Sequence, residues 1–181
     1  MDFKSVLTAL LSRFAEREVR YALMGGFALG LWGVGRTTVD LDFLAHRDDG
    51  EKIRKIMREL DYECRYESEN VSQYISPVKV FGEVDFLHAF RQASLEMLQR
   101  AEMKDVFEGA LRIKVLRPED LIGLKLQAIR NDPLRKEADT ADIRLLISAY
   151  PGDLDWELID RYVEVLELRD LWREIKGEEK K

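Results

Sequence analysis

The sequence predicts an α/β protein: strands and helices share residues 1–116, and a lobe of helices alone follows over 117–181. Three observations carry that expectation. Apolar residues recur at helical spacing in the first segment, short runs alternate at strand spacing between residues 21 and 116, and the chain after Pro118 is helical again. With 181 residues, 46% of them hydrophobic, there is enough apolar surface for one domain with a helical appendage.

The elements follow in order. Phe3, Val6, Leu7, Leu10, Leu11 and Phe14 make the stripe of a helix over 2–18. Tyr21-Ala22-Leu23-Met24 reads as a buried strand stopped by Gly25-Gly26, and 27–32 as a short apolar helix closed by Gly33-Val34-Gly35-Arg36. A strand over 39–45 comes next. Asp48-Asp49-Gly50 then opens a helix with Ile53, Ile56, Met57 and Leu60 on one face and acids near its start, where the helix dipole favours them. Tyr62, Cys64 and Tyr66 alternate, as do residues in 71–75 and 78–87, with Pro77 between. Residues 93–104 look helical and 111–116 strand-like. Pro118 suits a first helical position, and helices are expected at 118–130, 134–149 and 155–175.

Composition narrows the class. A net charge of −6 argues against broad, non-specific binding to nucleic acid, although a local basic patch stays open. Cys64 is the one cysteine, so no internal disulfide forms and a reducing, cytoplasmic setting is the default. The segment from Met1 to Leu7 lacks the features of a signal peptide, and no apolar run approaches the ~20 residues that span a bilayer. The Lys/Glu-rich tail from Lys176 to Lys181 reads as a solvated end.

The chemistry centres on carboxylates. In Val39-Asp40-Leu41-Asp42-Phe43-Leu44, strand alternation sends Asp40 and Asp42 to one face and Val39, Leu41 and Phe43 to the core. Two like charges on one rigid strand raise each other's pKa unless a cation sits between them. Asp85, with Glu83 on the same face of its strand, could join them as a third acid. Such a set of hard oxygens suits Mg²⁺, which takes a few carboxylates, waters and substrate phosphates. Gly25-Gly26 suits a backbone that approaches a ligand closely, ahead of a helix N-terminus aimed at phosphate. Arg36 is a candidate for neutralising nucleotide phosphates. Dinucleotide and P-loop motifs are missing.

In the helical lobe, Leu121, Lys125 and Ile129 share one stripe. Asp142 falls with Ala138, Leu145 and Leu146, and Asp139 sits one turn earlier. Lys125 with these aspartates is either a structural salt bridge or a phosphate-binding lysine with its positioner, linking the lobes at their seam. His46 and His88 read as ordinary strand-end residues, and one Cys with two His does not make a zinc site.

These residues resemble the nucleotidyltransferase superfamily that includes DNA polymerase beta. Its pattern is a Gly-Gly or Gly-Ser turn, then Asp-x-Asp or Asp-x-Glu, then a third acid on a later strand. Gly25-Gly26, Arg36-Thr37-Thr38-Val39-Asp40-Leu41-Asp42 and Asp85 match it. Pro118-Glu119-Asp120-Leu121-Ile122, Lys125-Leu126, Ala128 and Asp139 with Asp142-Ile143 are similar to the branch of abortive-infection toxins and minimal nucleotidyltransferases.

The resemblance implies a mixed β-sheet flanked by helices with a C-terminal helical lobe, and Mg²⁺ or Mn²⁺ at Asp40, Asp42 and Asp85. It implies nucleotide contacts from Gly25, Gly26, Arg36, Thr38, Lys125, Asp139 and Asp142. One departure stands out: Gly26 replaces the Ser of many members. The implied activity is transfer of NMP from an NTP, ATP among them, to a hydroxyl of RNA, protein or a small molecule, in a toxin–antitoxin or defence setting with a cognate partner. The alternative is a non-catalytic nucleotide- or partner-binding subunit of the same fold.

Overall fold

The computed structural model describes residues 1–150 and 152–177; the tail expected to be solvated lies, from Glu178 on, outside the described residues. In chain order the elements are α1 (Phe3–Glu16), β1 (Tyr21–Met24), α2 (Gly25–Leu31), β2 (Asp40–His46), α3 (Gly50–Glu59), β3 (Glu63–Glu67), β4 (Val71–Ile75) and β5 (Glu83–Ala89). Then come α4 (Gln92–Arg100), β6 (Glu102–Val106), β7 (Leu111–Val115), α5 (Pro118–Asn131), α6 (Lys136–Ala149), α7 (Trp156–Val165) and α8 (Arg169–Lys176). The strands form one mixed sheet in the order β3-β4-β5-β2-β1-β7-β6. β2 runs parallel to β5 and β1 parallel to β7, and the other neighbours are antiparallel. The chain divides into a sheet unit, Met1–Leu31 with Arg36–Leu116, and a helical unit, Trp32–Gly35 with the residues from Arg117 on.

Alternation anchors the sheet unit. Leu41 and Phe43 of β2 are fully buried, as are Val84 and Phe86 of β5. The Phe43 and Phe86 rings stack at 5.5 Å, with Phe14 of α1 edge-on to Phe43 at 5.7 Å. Each such burial contributes about 1.5–3 kcal/mol and each ring pair about 1 kcal/mol more, so this face fixes the register that turns the acids the other way.

An ion cluster ties the start of α3 to Arg20, the residue just before β1. Asp49, 1% exposed, accepts from the backbone N–H and Nε of Arg20, and Lys52 Nζ lies 2.9 Å from its other oxygen. Burial pushes the Asp49 carboxyl up, but these hydrogen bonds outweigh it and bring the pKa down to about 2. A lowered carboxyl pKa means stability that is full above the unfolded value near 4 and is lost as pH falls toward 2. That contribution is roughly 2 kcal/mol. Urea unfolding of wild type and Asp49→Asn is expected to show a stability gap that narrows steadily below pH 4; a constant gap would contradict the assignment.

The helical unit explains its own motif. Asp120, fully buried in the first turn of α5, accepts from the Tyr162 hydroxyl at 2.6 Å, and Glu119 accepts from the backbone N–H of Asp155, the N-cap of α7. Gly123 lies under the Tyr162 ring, where an added Cβ would fall 2.6 Å from Cδ2. Gly123→Ala must therefore push the ring and its hydrogen bond aside. It is expected to cost about 1–3 kcal/mol in chemical denaturation, despite alanine's better helix propensity. Tyr150 donates to the Trp32 carbonyl at 3.0 Å, which accounts for residues 32–35 grouping with the helices.

Several expectations are corrected. The helix expected over 93–104 ends at Arg100, and β6 follows as an edge strand. Glu102 and Lys104 fall on one face and Asp105 on the other, and Met103 and Val106 are three apart, so no strand-like hydrophobic period marks it. The helix expected over 155–175 is two helices, broken where Glu167 takes φ +57° without a glycine to announce it. Val39 is 71% exposed because β2 begins one residue later and alternation does not reach it. His88 is buried on the core face, with Nε2 3.0 Å from the Ser72 hydroxyl, and burial holds its pKa below the ordinary range.

Candidate active site

The parallel register of β2 and β5 sets Asp42 beside Asp85 and Asp40 beside Glu83. All four carboxylates therefore share one face, with the aromatic core on the other. β4 adds Gln73 opposite Asp85, and β1 adds Met24 opposite Asp42. Among the described residues no group of three His, Cys, Asp or Glu side chains converges closely enough to hold a metal ion. The three-acid cluster expected from the sequence thus exists as a shared face, with individual oxygens already engaged. Asp40 Oδ1 accepts from the Thr38 hydroxyl at 2.7 Å, and Asp85 Oδ2 accepts from the Gln73 amide at 2.9 Å.

Asp85 is the more constrained of the two acids on β5. Its Oδ1 is buried without a hydrogen-bond partner. Burial pushes its carboxyl above the ordinary range; the Gln73 hydrogen bond opposes this, and the charges of Asp40 and Glu83 add to it. The Glu83 side chain is half exposed and lies 3.5 Å from Arg65. A cation at this face would satisfy the orphaned oxygen and offset the crowded charge, and the donor chemistry, all carboxylate oxygen, is the kind that Mg²⁺ takes together with waters and substrate phosphates.

Gly25 is required where it stands. It holds φ +69°, and a Cβ there would overlap the Asp42 carboxylate, 2.6 Å from its Cγ. The glycine turn and the second acid are thus in direct apposition. Arg36 is exposed in the loop before β2. α2 starts at Gly25 itself, two residues earlier than expected, so both glycines form its first turn.

Lys125, Asp139 and Asp142 do come together, inside the helical unit. Lys125 Nζ donates to Asp139 Oδ1 at 2.8 Å and to Asp142 Oδ2 at 2.6 Å, with side-chain exposures of 12%, 2% and 8%. Arg135 Nε donates to Asp139 Oδ2 at 2.9 Å. Burial pushes the Asp139 carboxyl up, but the Lys125 and Arg135 hydrogen bonds hold it below the ordinary value. The ion triad joins α5 to α6, both in the helical unit, in place of the link between lobes expected from the sequence. The buried face of α6 is Asp139, Thr140, Asp142, Ile143 and Leu146; Ala138 and Leu145 are exposed.

Sequence reasoning missed Gln73. Its signal was available in the strand pattern at 71–75 and 83–87, which as a hairpin would have set Gln73 against Asp85.

A family model described as uncharacterised nucleotidyltransferase matches residues 3–175. A search of curated proteins finds no match. Among solved structures, the antibiotic-resistance factor ANT(2'')-Ia superposes with a TM-score of 0.63 at 16% identity, over 98% of this chain and 97% of that one. The lincosamide antibiotic adenylyltransferase LnuA, in a lincomycin-bound crystal structure, gives 0.57 at 15% identity over 80% and 96%. An antigenic nucleotidyltransferase-like protein from Paracoccidioides brasiliensis gives 0.55 at 20% identity over 98% and 94%. These likenesses show a common fold, the mixed sheet flanked by helices described above.

Proposed function

The chain belongs to the uncharacterised nucleotidyltransferase family, whose model covers residues 3–175, and from that membership we propose that it moves NMP from an NTP to an acceptor hydroxyl with the help of Mg²⁺ or Mn²⁺. The observation that carries the reading is the register match of Asp42 with Asp85, with Asp40 on the same face and a buried, unpartnered oxygen on Asp85. Asp40 and Asp42 are the metal-holding residues, and Asp85 completes the donor set. A divalent ion bound there would supply Lewis-acid polarisation of the phosphoryl oxygens.

The chain's own groups do the rest. Asp85, its proton affinity raised by burial, accepts the proton of the acceptor hydroxyl. The acceptor oxygen bonds to the α-phosphorus as the bond to the β-phosphate oxygen breaks, and pyrophosphate leaves. Gly25 keeps the backbone close to Asp42, and Gly25, Gly26, Arg36, Lys125, Asp139 and Asp142 are the residues proposed to serve the nucleotide.

A place in a toxin–antitoxin or defence pair rests on the resemblance of the 118–128 and 139–143 segments, and RNA, protein and small molecules all stand as acceptor classes. No helix among the described residues is long and apolar enough to cross a membrane. The single exposed Cys64 agrees with a reducing, cytoplasmic site of action. The test is direct. Purified protein with each α-³²P-labelled NTP, Mg²⁺ or Mn²⁺, and host RNA, host protein or small molecules in turn is expected to transfer label to one acceptor class. Metal-dependent NTP binding with no transfer to any acceptor would instead support the non-catalytic subunit.

A further inference from the structure

Gly26 and Thr38 compete for one space. A Cβ on Gly26 would lie 2.8 Å from Thr38 Cβ and 2.8 Å from its Oγ1, closer than real Cβ contacts come. The φ of Gly26 is not in the left-handed region, so the Thr38 side chain, and not backbone strain, keeps residue 26 bare. The same Oγ1 donates to Asp40 Oδ1 at 2.7 Å, with the Asp40 carbonyl farther away at 3.3 Å. One side chain therefore fills the glycine turn and holds the first acid of the strand.

A threonine hydroxyl has one proton. Committed to Asp40, it offers only lone pairs to anything else, and lone pairs repel phosphate oxygens. We propose that Thr38 is a positioning residue: it occupies the room a side chain at residue 26 would take, and through its hydroxyl it fixes the Asp40 carboxylate. Thr38 then acts on the metal-holding acid instead of on the nucleotide. The functional half of this proposal rests on the transfer reading above; the steric half does not.

Two experiments separate the halves. In metal-free protein, thermal denaturation of Gly26→Ala, Thr38→Gly and the double variant measures the shared space. Gly26→Ala is expected to lower Tm clearly in the presence of Thr38 and far less in the Thr38→Gly background; additive losses would overturn the steric claim. The second experiment compares Thr38→Val, which keeps the shape without the hydroxyl, with Thr38→Ser, which keeps the hydroxyl. Mn²⁺ titration followed by electron paramagnetic resonance is expected to show about tenfold weaker binding in Thr38→Val, the usual scale for residues that orient metal ligands, with most of it recovered in Thr38→Ser. Where transfer is measured, kcat falls with it and KM for NTP stays nearly constant. Equal Mn²⁺ affinity in wild type and Thr38→Val, or a raised KM with unchanged kcat, would overturn the positioning role. Wild-type protein that binds Mn²⁺ but transfers nothing would sink the transfer reading while both Thr38 comparisons still stand.

Discussion

Replacing Asp42 with Asn is expected to lower NMP transfer about a thousandfold or more, equivalent to about 4 kcal/mol of barrier, while the far-ultraviolet circular dichroism and the unfolding transition stay those of a folded protein. Asp40→Asn is expected to behave the same way. The fold survives because the residues that hold β2 in place are its neighbours on the opposite face, Leu41 and Phe43, which the substitutions do not touch. Asp85→Asn should be the more informative companion. An asparagine oxygen can still accept from Gln73, but the buried charge is gone, and with it the desolvation that raises the Asp85 carboxyl. Metal-free Asp85→Asn is therefore expected to be at least as stable as wild type and inactive, the pattern of a site kept at a cost in stability. Wild-type-level labelling in Asp42→Asn would remove the basis for the proposed chemistry.

Lys125→Met is expected to be the most destabilising single change in the helical unit, by about 3–5 kcal/mol in urea unfolding. The reason is the exposure of the three groups: the ammonium leaves two carboxylates, 2% and 8% exposed, that were folded around it. Arg135 stays on Asp139 and keeps part of that charge compensated. Combining Lys125→Met with Asp142→Leu should lose less than the two changes summed, because the two side chains are in direct contact and each single change already removes their ion pair. A loss below about 1 kcal/mol, the scale of an exposed ion pair, would mean that the triad is far more hydrated than its burial indicates. Because the same lysine is proposed to serve the nucleotide, Lys125→Arg, which keeps the cation, is the variant in which activity and folding can be weighed separately.

The individual strands, the Asp40–Asp42 pair and the Lys125 stripe were legible because each depends on spacing within a short segment; the mixed sheet and the third acid came with the family resemblance. Alternation alone put Asp40 and Asp42 together, and helical periodicity alone put Lys125 between Leu121 and Ile129. What was not legible depends on neighbours from elsewhere in the chain. β6 has no hydrophobic period because its residues lie at the sheet edge, largely exposed on both faces. The break before α8 is made by a glutamate at positive φ, a conformation no local signal marks. Gly26 reads in the sequence as a missing serine; only the tertiary approach of Thr38 shows that its space is already taken. The partner of Asp85, Gln73, needed the hairpin register, which a one-residue slip would have turned to the other face.

β2 is the fourth of seven strands, hydrogen-bonded on both sides. Amide protons beside Asp40 and Asp42 can exchange with solvent only when the middle of the sheet opens, so they should be among the slowest in the molecule, while β3 and β6 exchange early. The same placement separates variation from chemistry. Insertions, lengthened strands or a borrowed strand from another chain can be accommodated at either edge, and the acids at the centre keep their register throughout.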